Sequence, residues 1–457
     1  MPNFDPESLA RVTGGTWTRM PQVMPCGFAH DTRHMAPGQV FVAIRTEVRD
    51  GHAYLSDAQK AGASAALVAR RDPDIALPQL VVADTVAAFQ AIAREHRRAF
   101  RGPVVGISGS AGKTSTKNLL AALLGGEPTV LATEGNLNNH LGVPLTLTRL
   151  DPTIHRYAVI EAGISEEGEM APLASMIEPD IGIITLVAPA HLEALGSVEN
   201  VAREKAQLLS AAGIAIFNKS CLEFAAFRDL KVRTLVVEPA DVVLPVEHAP
   251  DRVYFTVSHR DDLTSASVAI GGSAPQVFAF PRVSDGMARN AVLAVCAALW
   301  LGVSPEMIRR RLQTWRPSAM RGEIRRENNR LVYLDCYNAN PASMADALAN
   351  FYQIAPPTEP RLLVIGGMEE LGEDSRRYHR DLGRMLHLRP GDFCYVIGSE
   401  AEAVRLGAIE SGNRSEQMAI ASAVEPIAAH VAAFHGSVFV KGSRRHALER
   451  AVGAGAH

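Results

Sequence analysis

A glycine-rich turn between a predicted strand and a predicted helix contains the residues best suited to bind phosphate. The turn comprises Gly109, Ser110, Ala111, Gly112, Lys113, Thr114 and Ser115. Glycines let phosphate approach backbone N–H groups, Lys113 supplies a positive charge, and the Thr114 hydroxyl can bind Mg²⁺. Ile107 stands where the longer G-x-x-x-x-G-K-[ST] motif requires glycine, so the match is to G-x-x-G-K-T. We favour nucleotide binding over an incidental glycine-rich turn.

Two further side chains could bind the magnesium ion that accompanies a nucleotide. Glu161 ends the apolar segment RYAVIEAG, and a carboxylate at a strand end beside a phosphate loop can bind Mg²⁺. A solvated glutamate is the alternative. His191 follows the apolar segment IGIITLV and could also be a ligand. Taken alone, a histidine in such a loop is more often a plain loop residue.

Lys205 lies on the apolar side of a predicted helix. It shares that face with Val198, Val201, Leu208 and Leu209, at helical spacings. Burial favours a neutral amine, which can add CO₂ to form a carbamate, an oxygen ligand suited to Mg²⁺. The alternative is a lysine whose stem is buried and whose amine reaches solvent.

These residues require a parallel α/β scaffold. Apolar segments such as VVGISGS, YAVIEAG, RLLVIGG and SVFVKGS end in Gly or polar residues and precede helical patterns. Breaks near residue 102 and near Pro317 divide the chain into residues 1–102, 103–316 and 317–457. The sequence therefore predicts three α/β domains.

Composition excludes several classes of protein. The 457 residues contain 46 Lys+Arg and 49 Asp+Glu, a net charge of −3, so we expect no nucleic-acid partner. Five scattered cysteines show neither disulfide nor zinc spacing. No apolar run approaches the roughly 20 residues that span a bilayer, and the N-terminus does not resemble a signal peptide. We therefore expect a cytoplasmic protein without membrane contact.

Several motifs together resemble the Mur ligase superfamily. HDTRHMAPGQVFVAI, GSAGKTSTK, TEGNLNNHLGVPLTL, LDCYNANPASMADAL and VKGSRRHALE occur in the family's order and extend over nearly the whole chain. The resemblance implies an N-terminal UDP-substrate-binding α/β domain, a central P-loop ATPase domain with a mostly parallel sheet, and a C-terminal Rossmann-like domain. It also implies a monomer.

The resemblance assigns roles to individual residues. Thr114, Glu161, His191 and carbamylated Lys205 match Mg²⁺-site positions, and Lys113, Lys205, Glu161 and His191 are the implied catalytic residues. The implied nucleotide-binding residues outside the turn are Asn290, Arg321 and Asp335. The implied substrate-binding residues are Asp31, Thr32, Arg33, His52, Asn136, Asn138, Asn139, Tyr337, Asn338 and Asn340.

The implied activity is ATP-dependent amide formation in peptidoglycan precursor synthesis. A carboxylate of UDP-N-acetylmuramoyl-tripeptide would become an acyl phosphate, which D-alanyl-D-alanine would then attack. Such chemistry depends on positioning and electrostatics, and it needs no side-chain nucleophile.

The chain departs from the family pattern at three positions. Leu334 replaces an acid, Cys336 replaces a hydroxyl residue, and Gly286 replaces a histidine. Because of these changes, one alternative function is that of a nucleotide-binding protein derived from a ligase but no longer catalytic. Another amide ligase of the superfamily, similar to folylpolyglutamate synthetase, is the second alternative.

Overall fold

The computed structural model of the protein describes residues 2–240, 249–327 and 330–453. The described residues form three α/β units, each built on one sheet, and the predicted fold class is confirmed. One sheet lies within each of the ranges 1–102, 103–316 and 317–457. The boundaries themselves stay a prediction.

The N-terminal unit has a five-stranded sheet in the order β1-β5-β4-β3-β2, parallel except for β1. Its strands are β1 (Thr16–Trp17), β2 (Phe28–Ala29), β3 (Val40–Val42), β4 (Ala65–Val68) and β5 (Gln79–Val81). Its helices are α1 (Pro6–Thr13), α2 (Leu55–Lys60) and α3 (Thr85–Ala99). Asp84 starts α3 by accepting hydrogen bonds from the N–H groups of Val86 and Ala87.

The central unit has a nine-stranded sheet in the order β14-β13-β12-β11-β10-β9-β6-β8-β7. The strands from β7 to β12 in this order are parallel, whereas β13 and β14 pair antiparallel at one edge. The strands are β6 (Val104–Ser108), β7 (Val130–Ala132), β8 (Tyr157–Glu161), β9 (Ile181–Ile184), β10 (Ile214–Asn218), β11 (Arg233–Pro239), β12 (Arg252–Arg260), β13 (Leu263–Ile270) and β14 (Gln276–Pro281).

Helices cover both faces of the central sheet, as buried apolar parallel strands require. They are α4 (Lys113–Leu124), α5 (Gly142–Leu147), α6 (Met170–Ile177), α7 (Leu192–Leu195), α8 (Val198–Ser210), α9 (Ala225–Arg228), α10 (Asp285–Trp300) and α11 (Pro305–Thr314). Two apolar clusters form its core, one containing α4 and α10 and the other containing α6 and α8.

The C-terminal unit has a six-stranded sheet in the order β15-β16-β20-β17-β18-β19, parallel except for β15. Its strands are β15 (Glu323–Glu327), β16 (Arg330–Asp335), β17 (Arg361–Gly366), β18 (Phe393–Ile397), β19 (Met418–Ala421) and β20 (Ser437–Lys441). Its helices are α12 (Pro341–Ile354), α13 (Ser375–Arg384), α14 (Ala401–Glu410) and α15 (Glu425–Ala433).

The strand topology brings the candidate residues to one edge. β6 lies between β8 and β9, so the phosphate turn after β6 is next to Glu161 at the end of β8 and to the loop after β9. Ligands bind at this carboxyl edge in open α/β sheets. The C-terminal unit faces the same edge through α12.

Candidate functional site

Close packing dictates the glycines of the phosphate turn. Gly109 and Gly112 have positive φ angles of 148° and 81°. A Cβ at Gly109 would lie 1.9 Å from Thr185 Oγ1, and one at Gly112 would lie 2.1 Å from Asn290 Nδ2. The turn is also tied to the loop after β9, since Ser110 N donates to the Leu186 carbonyl at 2.8 Å. Only glycine fits at these two positions, as the motif predicted.

Lys113 and Thr114 open α4, where backbone N–H groups have no intrahelical partner. Lys113 Nζ donates to the Gly109 carbonyl at 2.8 Å, so its amine is folded back over the turn. Burial lowers the pKa of Lys113, the Glu161 carboxylate opposes that shift, and the Arg321 guanidinium adds to it. Two cations and a helix N-terminus thus converge where the β- and γ-phosphates of a nucleotide would bind.

Glu161 is buried with one carboxylate oxygen unsatisfied. Its Oε1 accepts a hydrogen bond from Asn138 Nδ2 at 2.8 Å, and its backbone N–H donates to Thr133 Oγ1 at 2.9 Å. Its Oε2 has no hydrogen-bond partner among the residues that the structure describes. An unpaired buried carboxylate oxygen is costly, which is the situation that a bound cation relieves.

Lys205 is 1% exposed and packs with Val201, Leu208 and Leu209 inside the central unit. Burial lowers the pKa of Lys205 well below its ordinary value, and the positive charge of Lys113 lowers it further. Glu204 opposes these shifts, but no ion pair to Lys205 is formed within the described part of the chain. The predicted buried position is confirmed, and the side chain does not reach solvent.

His191 contacts the C-terminal unit instead of the cavity. It has a left-handed backbone, with φ of 54°, at the start of α7. Its Nδ1 lies close to Glu370 Oε2, and this contact lowers the pKa of Glu370. His191 therefore connects two domains here, and its role as a magnesium ligand stays a prediction.

The C-terminal unit brings its candidate residues to the phosphate turn. Asn340, the N-cap of α12, donates through Nδ2 to the Ser110 carbonyl at 3.0 Å. The Arg321 guanidinium lies 3.8 Å from the centre of the Tyr337 ring. Asp335 Oδ2 accepts from Lys441 Nζ at 2.6 Å. These contacts place nucleotide and substrate candidates from separate domains around one space.

That space is a cavity of about 770 Å³ between the central and C-terminal units. It contains most of the candidates that the sequence identified, which are Ser110, Ala111, Gly112, Lys113, Thr114, Ser115, Asn136, Asn138, Glu161, Asn290, Arg321, Asp335, Tyr337, Asn338 and Asn340. Gly109, His191 and Lys205 are not among its lining residues. Asn139 is also outside the lining, and its Oδ1 accepts hydrogen bonds from Leu141 N and Gly142 N at the start of α5.

The N-terminal candidates form a separate group in which the charges are already paired. Asp31 caps the short 3₁₀ helix Thr32–His34, and its carboxylate binds Arg33 at 2.6 Å. His52 Nδ1 contacts Asp50 Oδ1 at 2.6 Å, while its Nε2 accepts from Ala69 N at 3.0 Å. Their predicted binding of the UDP substrate stays a prediction.

Sequence reasoning missed three charged residues of the site. Lys117, in the second turn of α4, is buried and donates to the Thr133 carbonyl. Lys441, 1% exposed, holds Asp335, and Asp346 of α12 lines the cavity. The signal for Lys117 was its helical position four residues after Lys113. For Lys441, it was a lysine that ends the buried strand β20.

The residues present fit a magnesium ion bound together with a nucleotide. No group of three His, Cys, Asp or Glu side chains in residues 2–240, 249–327 and 330–453 could hold a metal alone. Mg²⁺ usually keeps several waters and takes substrate phosphates with one or two carboxylates. The free Glu161 oxygen and the Thr114 hydroxyl in the same cavity meet that requirement.

Two family models match the units that build this cavity. Residues 107–241 match the Mur ligase middle domain, and residues 320–452 match the Mur ligase glutamate ligase domain. The chain belongs to the Mur ligase family. The predicted family is confirmed.

The similar proteins narrow the comparison to one branch of that family. UDP-N-acetylmuramoyl-tripeptide--D-alanyl-D-alanine ligase of Escherichia coli (strain K12) is 32% identical over 430 residues, which cover 93% of this chain and 92% of the relative. The enzyme of the same name from Bacillus subtilis (strain 168) is 28% identical and covers 88% of this chain and 87% of the relative.

Solved structures agree with the sequence comparison. MurF from Acinetobacter baumannii superposes with a TM-score of 0.85 at 26% identity, covering 99% of this chain and 98% of that one. MurF ligase from Thermotoga maritima in complex with ADP gives a TM-score of 0.78 at 26% identity, covering 93% and 96%. Within the part of the chain that the structure describes, no helix is long and apolar enough to cross a membrane.

Proposed function

We propose that the chain joins D-alanyl-D-alanine to UDP-N-acetylmuramoyl-tripeptide at the expense of ATP. The observation that carries this proposal is the cavity in which the phosphate turn, Glu161 and Arg321 converge from two domains. The names of the relatives supply the substrates. The cytoplasmic location and the monomeric state remain predictions from the sequence.

The first step activates the carboxylate of the tripeptide. One carboxylate oxygen attacks the γ-phosphorus of ATP, the bond from that phosphorus to the β,γ-bridging oxygen breaks, and ADP leaves. Lys113 and Arg321 offset negative charge on the phosphoryl oxygens, and the first-turn N–H groups of α4 orient them. Asn290 against Gly112, together with Asp335 held by Lys441, positions the nucleoside.

The second step forms the amide bond. The amine of D-alanyl-D-alanine attacks the acyl carbon, the carbon–oxygen bond to phosphate breaks, and the departing phosphate takes the proton that the nitrogen loses. No side-chain nucleophile takes part, so the protein contributes position and charge. The contact from Asn340 to Ser110 allows the two domains to exclude water from the acyl phosphate.

Glu161 and Thr114 would hold Mg²⁺, with His191 and a carbamate of Lys205 as the further predicted ligands. The ion supplies charge compensation to the transferring phosphoryl group. The buried, low-pKa amine of Lys205 supports the carbamate, because a neutral amine is the form that adds CO₂. A carbamate would also convert like-charge repulsion from Lys113 into attraction.

Phosphate release tests the proposal. Purified protein with ATP and Mg²⁺ should release phosphate only when both UDP-N-acetylmuramoyl-tripeptide and D-alanyl-D-alanine are present. Mixtures that lack one substrate are the controls. Release with a folate and glutamate would favour a synthetase similar to folylpolyglutamate synthetase. ADP binding without release under any condition would favour a nucleotide-binding protein that is not catalytic.

A further inference from the structure

Helix α12 of the C-terminal unit lies against the N-terminal end of α10 in the central unit. Asp346, in the middle of α12, accepts a hydrogen bond through Oδ1 from the Gly286 N–H at 2.7 Å. Asn350, one turn further along, accepts from Arg282 Nη2 at 3.2 Å. The contact therefore joins two domains through side chains on one face of α12.

A side chain at position 286 would collide with the Asp346 carboxylate where it now lies. A Cβ there would lie 2.5 Å from Asp346 Oδ2 and 2.8 Å from Asp346 Cγ. Gly286 lies within α10 and is not among the glycines with a positive φ, so its backbone conformation does not demand glycine. Alanine is the better helix former, so the close approach of the Asp346 carboxylate is the feature that favours glycine at this position.

Asp346 accepts a hydrogen bond from a first-turn N–H group of α10, a helix of another domain. The first-turn N–H groups of α10 have no partner within the helix and carry partial positive charge. Ser284, the N-cap, accepts from Met287 N at 3.2 Å, and Asp346 accepts from Gly286 N. Burial raises the pKa of Asp346, and the hydrogen bonds from Ser284 and the Gly286 N–H oppose that shift.

The same helix positions the nucleotide candidate Asn290. Asn290 lies one turn after Gly286, and its amide packs on Gly112 of the phosphate turn. Asp346, Gly286 and Asn290 all line the one cavity. The Asp346 carboxylate of the C-terminal unit thus holds the N-terminal end of α10. One helical turn further along, Asn290 of the same helix contacts the phosphate turn.

We propose that Asp346 is a positioning residue for the nucleotide, which holds α10 in place only when the central and C-terminal units are docked. This inference deepens the proposed function and rests on it for the identity of the nucleotide. It predicts that substitutions at positions 286 and 346 have coupled, non-additive effects on the affinity for the nucleotide.

A double-mutant cycle tests this coupling. Gly286→Ala, Asp346→Ala and the double variant are compared with wild type by the Kd for ADP in calorimetry. We expect each single variant to weaken ADP binding by about tenfold, because each breaks a part-buried, charge-assisted hydrogen bond across the domains. The double variant should bind ADP at least as tightly as the single variant with the higher Kd, since the shortened side chain at 346 leaves room for a Cβ at 286.

Two further variants exclude a general loss of structure. Asp346→Asn keeps an acceptor of the same size and should bind ADP within about threefold of wild type. Asp285→Ala removes a carboxylate from the same end of α10, but that carboxylate contacts His259 of the central unit and not α12. It should leave the Kd for ADP within about twofold of wild type. Thermal unfolding confirms that every variant is folded.

The outcomes separate this inference from the proposed function. Equal ADP affinities in all variants, or single effects that simply multiply in the double variant, would overturn the role of Asp346. Absence of phosphate release by wild type would overturn the ligase proposal, yet the ADP cycle would still report on Asp346. In an active enzyme, the KM for ATP should rise in Asp346→Ala while the KM for D-alanyl-D-alanine stays unchanged.

Discussion

Charged side chains have different surroundings in two regions of the molecule. One region is the candidate surface of the N-terminal unit, and the other is the cavity between the central and C-terminal units. In the N-terminal unit, Asp31 pairs with Arg33 and Asp50 pairs with Arg70. In and beside the cavity, Glu161 has a buried oxygen without a hydrogen-bond partner, and Lys205 is buried with no ion pair among the described residues.

The difference indicates where a ligand completes the structure. A buried carboxylate or amine without a partner opposes folding, so it persists where a bound group compensates for it. Paired charges near the surface mainly shape the local backbone, as Asp31 does for the 3₁₀ helix Thr32–His34. Changes in the cavity should therefore reduce turnover, whereas changes in the N-terminal pairs should alter stability first.

The largest expected effect is that of Lys113→Ala. The γ-phosphate would lose the side-chain cation of the phosphate turn, so turnover should fall by about a thousandfold or more. Phosphate release with both substrates measures this loss, and Lys60→Ala, at an exposed lysine of the N-terminal unit, is the matched control. Turnover within a few-fold of wild type would contradict the assignment of the phosphate turn.

Lys205→Ala should reduce turnover by about a hundredfold or more, because the predicted carbamate oxygen is lost. A small added carboxylic acid should restore part of the activity of Lys205→Ala and none of that of Lys113→Ala. Electron density for a carbamate in a nucleotide-bound crystal is the second measurement. A bare amine there, together with full activity of Lys205→Ala, would rule out the modification.

Glu161→Ala should lower turnover by about a hundredfold at ordinary Mg²⁺ and recover in part at high Mg²⁺, as expected for a lost ligand. Glu134→Ala is the control, since Glu134 is an exposed residue of the loop after β7 that pairs with Arg149. If Glu161→Ala depends on Mg²⁺ in the same way as wild type, Glu161 is not a magnesium ligand and its role is structural.

The smallest effect is expected for Asp50→Asn, and it concerns stability. Hydrogen bonds from the His52 N–H and the His52 ring lower the pKa of Asp50 to about 2. Because the folded pKa lies below the unfolded value of about 4, the stabilisation is present above pH ~4 and is lost as pH falls through ~2. The difference in unfolding free energy between wild type and Asp50→Asn should therefore shrink over that interval, while kcat at neutral pH stays the same. A difference that is independent of pH would contradict this view.

The amino-acid sequence alone determined the features that depend on neighbours along the chain. Continuous apolar runs that end in Gly or polar residues predicted β6, β8, β9 and β20, and all four are strands at those positions. Helical spacing predicted that Lys205 faces the interior, and it is buried. These predictions succeeded because strand and helix periods bring chain neighbours to one face.

Only the tertiary structure decided which distant residues meet. Lys441 reaches Asp335 across 106 positions, and Asp346 reaches the Gly286 N–H across 60. In the sequence, Gly286 was only a position where the histidine of the family pattern is missing. In the fold, this glycine leaves space for the Asp346 carboxylate of another domain. No local period records such contacts, because they depend on how β16, β20, α10 and α12 pack against one another in the folded protein.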